Sequence, residues 1–89
     1  MVSQLSVNEI KIVGLDEIRT HPVGQKNKML RVYFELSRKP TKEWKNIFEK
    51  QNKGWMTIDG RHVVVEAMSH EISNKMAEAQ IAVAKANKK

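Results

Sequence analysis

Trp55-Met56-Thr57-Ile58-Asp59-Gly60-Arg61-His62-Val63-Val64-Val65-Glu66 carries the sharpest local signal in the chain. Two β-prone segments flank Asp59-Gly60, and an Asp-Gly pair suits a type I′ hairpin turn, whose central positions both need positive φ. In that two-residue loop Ile58 faces Arg61, Thr57 faces His62, Met56 faces Val63 and Trp55 faces Val64. Side chains alternate across a strand, so Met56, Ile58, Val63 and Val65 share the core face. Trp55, Thr57, His62, Val64 and Glu66 share the opposite one. A slip of one residue inverts the assignment.

Upstream of the hairpin, Met29 to Ser37 is the clearest strand: Leu30, Val32, Phe34 and Leu36 alternate with Arg31, Tyr33 and Glu35, the period of two that a half-buried strand requires. Val7 to Leu15 reads as its antiparallel partner, with Ile10 and Ile12 on one side, Lys11 and Val13 on the other, and Gly14 marking a bulge or bend. The polar stretch from Asp16 to Lys28, with His21-Pro22 and Gly24, is a long connection. Pro40-Thr41 opens a helix: Thr41 caps it, Glu43 sits in the first turn, Trp44, Ile47, Phe48 and Gln51 form the inward stripe, and Gly54 stops it. The last helix runs from about Ser69 to Asn87. Ser69 is its cap, Glu71 and Lys75 form an i,i+4 pair, and Ile72, Met76, Ala79, Val83 and Ala86 make a buried stripe.

The expected fold is therefore α+β in the order β-β-α-β-β-α: a four-stranded, mostly antiparallel sheet with two helices packed on one face, a two-layer sandwich. The link from the second strand through the first helix reads as a right-handed parallel crossover or as an antiparallel return. Residues 1–89 form one domain, with residues 1–6 and 87–89 loose. At 89 residues the chain suffices for one core and not two. Hydrophobic residues at 40% and charged residues at 29% are a globular composition. The absence of cysteine removes disulfides and thiolate chemistry and fits a reducing compartment. No run approaches the length of a membrane span, and the start at Met1-Val2-Ser3 shows no secretory pattern, so the expected location is cytoplasmic, away from membranes.

Catalytic and cofactor motifs are not recognisable. His62, Glu66 and His70 are zinc-compatible types, but His62 and Glu66 stand about 13 Å apart along a strand and no helical HExxH spacing exists. Ser37, Ser69 and Ser73 lack a nucleophile elbow, and Asp16-Glu17 beside a loop needs no catalytic role. Gly14, Gly24, Gly54 and Gly60 are isolated, so no phosphate loop or dinucleotide fingerprint forms. No cofactor is expected, and whether the chain is an enzyme stays open.

Two candidate surfaces remain. The formal charge of +6 is concentrated between Lys26 and Lys53, where nine basic residues oppose three acidic ones. Lys26, Lys28, Arg38, Lys39, Lys42, Lys45 and Lys53 are candidates for neutralising nucleic-acid phosphates without base specificity, although a solvated face looks the same. The second surface is the sheet face opposite the helices. It exposes Tyr33, Trp55, Val64 and Val13, rimmed by Arg31, His62, Lys11, Glu35 and Glu66. Rigid aromatics within a mixed-charge rim suit a protein interface, with a second copy or another protein as partner. Base stacking on Tyr33 and Trp55 would use the same residues, and Trp55 can instead tuck against a loop or a helix edge.

Overall fold

The computed structural model describes residues 9–24 and 28–88. The expected strand start at Val7, the lead-in over residues 1–6, and Lys26 and Lys89 lie outside the described residues. In chain order the elements are β1 (Ile12–Leu15), β2 (His21–Pro22), β3 (Met29–Leu36), α1 (Lys42–Asn52), β4 (Thr57–Asp59), β5 (His62–Met68), a 3₁₀ turn (Ser69–Glu71) and α2 (Ile72–Asn87). The sheet order is β1-β3-β5-β4, with β2 also on β3, and every paired neighbour is antiparallel. β3 and β4 thus run parallel with β5 inserted between them, which makes β3-α1-β4 a parallel crossover that skips one strand. The fold is the expected α+β sandwich with an open sheet and both helices on one face, with the two-residue β2 as a fifth strand.

The covered face is the one its alternation dictates. Val32, Phe34, Leu36, Ile58, Val63, Val65 and Ala67 are buried beneath Trp44 and Phe48 of α1 and Ala79, Ala82, Val83 and Ala86 of α2. The Trp44 and Phe48 rings stack at 5.3 Å, and alanines on α2 let that helix approach closely. Gln51 is exposed rather than part of the α1 stripe, because α1 meets its neighbours over a narrow arc centred on residues 44, 47 and 48. Thr41 caps α1 as expected, accepting from Trp44 N at 3.1 Å. At the far end Lys53 itself takes the left-handed conformation, φ 51°, before Gly54.

Local chemistry departs from expectation at three places. The hairpin loop is Gly60-Arg61, not Asp59-Gly60: Asp59 pairs with His62, Ile58 with Val63 and Thr57 with Val64. Only Gly60 has positive φ, 63°, which is the II′ requirement of glycine at the first central position. Each partner moves by two residues, so the faces keep their parity and the core set survives. At α2, Ser69 does not cap; the Glu71 carboxylate accepts from Met68 N at 3.0 Å. Glu71 is thereby drawn away from Lys75, which pairs with Glu78 at 3.6 Å.

The third departure is the connection after β1. A bulge lies between Ile12 and Gly14, and the chain then leaves the β3 edge for residues 16–20 and returns as β2. Tyr33 holds both ends: its carbonyl accepts from Asp16 N at 2.8 Å and its amide donates to Thr20 Oγ1 at 3.1 Å. What reads as one long polar loop is a short excursion from an otherwise continuous edge.

Asn87 ties the two ends of the fold together. Its side chain donates to Ile10 O at 2.8 Å and accepts from Ile10 N at 3.2 Å and from Trp44 Nε1 at 3.0 Å. The residue expected in a loose tail therefore closes α2 onto the strand before β1 and onto α1. Among the described residues no helix is long and apolar enough to cross a membrane.

Candidate functional site

The uncovered sheet face is built by β3 and β5 in register. Arg31 pairs with Glu66, Tyr33 with Val64 and Glu35 with His62 across the ladder, so these six side chains form three cross-strand rows on one surface. Tyr33 is the centre. Its ring lies 6.0 Å from that of His21 on one side and 5.8 Å from that of His62, edge-on, on the other.

One end of this face is strapped by the excursion. Asp16 Oδ2 and His62 Nε2 are 2.9 Å apart, the ring nitrogen donating, and the imidazole is mostly covered. Asp16 Oδ1 also accepts from Arg19 N at 3.2 Å. Partial burial pushes the Asp16 carboxyl up, but the Arg19 amide and the hydrogen bond and charge of His62, with the charge of Arg19, outweigh it and hold the group below 3.8. An aspartate orienting a histidine is a component of hydrolytic sites. Here the ring meets Asp16 and the Tyr33 ring, and among the described residues no hydroxyl hydrogen-bonds to His62.

The other end opens into a groove of about 620 Å³ whose lining includes Arg31, Tyr33, Trp55, Asp59, Val64 and Glu66. Trp55 is its outer wall. It follows α1 by way of the Lys53-Gly54 reversal, its amide donates to Asn52 O at 2.9 Å, and its side chain projects with the residue 82% exposed. That settles the choice between tuck and projection in favour of projection. The same indole borders a second hollow, with Lys53, Met56, Ile81 and Lys85, so Trp55 stands at the seam between the open face and the helical layer.

Charge is segregated between the two layers. On the sheet side the arginines are engaged: Arg31 with Glu66 at 3.2 Å, Arg61 with Glu35 at 3.3 Å and Arg19 with Asp16 at 3.8 Å. Asp59 is the groove carboxylate without an ion pair among the described residues. On the helical side Lys42, Lys45, Lys50, Lys53, Lys85 and Lys88 have no ion pair among the described residues.

Of the interface candidates, Tyr33, Val64, Arg31 and His62 share the face, and Trp55 borders it. Val13 is 59% exposed at the β1 bulge and does not line the groove. Of the nucleic-acid candidates among the described residues, Lys28 stands apart from those around α1. Lys28 precedes β3 and Arg38 follows it, about 23 Å of strand apart. Arg38 and Lys39 border a hollow at the start of α1, while Lys53 sits at its other end, about 16 Å away. Lys42 and Lys45 are exposed on α1 between them. His62, Glu66 and His70 do not converge: among the described residues no three His, Asp or Glu side chains are placed to hold a metal ion.

Asp16, Thr20 and Glu49 escaped the sequence reading. Glu49 Oε2 accepts from Ile58 N at 2.9 Å, the outward amide of the edge strand β4. The spacing of Asp16 and Arg19 in a turn was the one local hint; for Glu49 there was none. No family model, no curated protein and no solved structure matches the chain, so its chemistry is read from its own residues.

Proposed function

We propose that the protein is a non-enzymatic interaction module that docks a protein partner, a second copy included, through the open sheet face with Trp55 as its anchor. The observation that carries this is an indole 82% exposed beside a groove. Aromatic anchors of this kind contribute disproportionately when an interface desolvates them, and paired charges around them behave as a rim. Base stacking is the less favoured use of the same ring, since every arginine around it already faces a carboxylate.

The test is mass in solution by light scattering over a range of concentration, with oligonucleotide titrations on the same samples, for the wild type and Trp55→Ala. Association above the monomer that Trp55→Ala reverses identifies a second copy as partner. Oligonucleotide binding that Trp55→Ala weakens tenfold or more overturns the reading, because bases would then occupy the face. A second reading is supported by the exposed lysines of the helical layer that have no ion pair among the described residues: low-specificity binding to nucleic acid through Lys42, Lys45 and Lys53. It requires an affinity that falls log-linearly with salt and is lost on reversing Lys42 and Lys45, with Trp55→Ala neutral.

A further inference from the structure

We infer that the groove beside Trp55 receives a guanidinium, presented by a basic segment of a partner protein. This rests on the open-face reading above and names the chemistry of the occupant. In a chain of net charge +6, the groove is a place of opposite sign. Its charged lining is Arg31, Glu66 and Asp59; the first two neutralise each other at 3.2 Å, and Asp59 has no ion pair among the described residues. The same lining supplies two aromatic rings, Trp55 and Tyr33, beside that carboxylate, and both kinds of group attract a cation. Guanidinium suits the site better than ammonium because it is planar, stacks on indole, is weakly hydrated and meets a carboxylate with two parallel donors.

Two further features narrow the occupant. The β4 edge beside the groove does not offer Ile58 N–H, which Glu49 already holds at 2.9 Å. An incoming segment is thus recognised by its side chains rather than by adding a strand. The chain's own arginines are also engaged: Arg19, Arg31 and Arg61 in ion pairs, and Arg38 in contacts of its own. A second copy supplies lysines more readily than arginines, so the guanidinium comes from a different protein.

The experiment is a titration of the ¹⁵N-labelled protein with a capped eight-residue peptide alternating Arg and Ser, beside matched peptides carrying Lys, citrulline or Glu. Mass is recorded throughout. The expected result is shift changes at the Trp55 indole N–H, Thr57 and Val64, with the Arg peptide binding about tenfold or more tighter than the citrulline peptide. Binding weakens with salt and on Trp55→Leu and Asp59→Asn, both exposed positions whose substitution leaves the spectrum dispersed. Equal binding of the citrulline or Glu peptide at these residues overturns the guanidinium while leaving the face an interface. Absence of shifts on the open face with all four peptides also overturns it, and the mass and oligonucleotide results then judge the open-face reading separately. A Lys peptide binding tighter than the Arg peptide overturns the choice of occupant and points to the lysines of a second copy.

Discussion

Asn87 shows how much one side chain can carry. Its amide meets both backbone groups of Ile10 and the Trp44 indole, so removing it leaves partly buried donors and an acceptor unsatisfied. Asn87→Ala is expected to cost about 2–3 kcal/mol, read as a lower denaturation midpoint at unchanged slope. Asp16 offers a pH test. Its folded-state pKa is lowered from 3.8, so its contribution to stability is present above that value and is lost as pH falls through the lower folded one. Asp16→Asn keeps the shape and removes the charge. Thermal midpoints from pH 2 to 7 should show a shallower acid limb in the variant; parallel curves would remove Asp16 as a source of it. The long-range partner of neither residue was legible beforehand. Asn87 sits 77 positions from Ile10 and Asp16 is 46 from His62, and contacts so distant in sequence leave no periodic trace.

At the scale of elements, the hairpin and the edge strand give opposite lessons. The alternation of Met56, Ile58, Val63 and Val65 identified the core face correctly even though the turn lies one residue further on. Parity survives a shift of two in pairing, and turn chemistry is decided by whether one or two residues must take positive φ. A Cβ at Gly60 would meet nothing within 4 Å, so Gly60→Ala should cost only its left-handed backbone, about 1–2 kcal/mol. A larger loss in equilibrium unfolding would mean a packing role. In sequence Glu49 simply stands among Lys42, Lys45 and Lys50. In the fold it occupies the outward amide of β4, the position at which another strand would pair. Glu49→Ala should promote concentration-dependent aggregation under conditions where Lys50→Ala does not, as light scattering would show.

Across the whole molecule the two layers differ in how they treat charge. Arginines on the sheet side are matched to carboxylates, whereas the helical layer, Lys75 apart, carries lysines without an ion pair among the described residues. Surface pairs of this kind contribute at most about 1 kcal/mol each, so the net +6 is the larger electrostatic effect. Added salt should therefore raise the thermal midpoint, by screening lysine repulsion more than it weakens the pairs. A fall would show that the arginine pairs dominate.

The division between strand and helix and, the two-residue β2 aside, the β-β-α-β-β-α order are written in the local pattern of residues 7–15, 29–37, 41–54, 55–66 and 69–87. Apolar side chains repeating every two or every three to four positions leave the backbone one way to bury them, whatever lies elsewhere in the chain. The insertion of β5 between β3 and β4, the Asp16–Thr20 strap, the Asn87 clasp and the guarded β4 edge arise otherwise. They are hydrogen bonds between groups that only the packed layers bring within 3 Å or so, each choosing among several polar partners that look equivalent along the chain. The groove at Trp55 belongs to both kinds. Alternation puts Tyr33 and Val64 on the open face, while the helix reversal at Lys53-Gly54 and the pairing of Arg31 with Glu66 leave the indole and one carboxylate standing uncovered beside them.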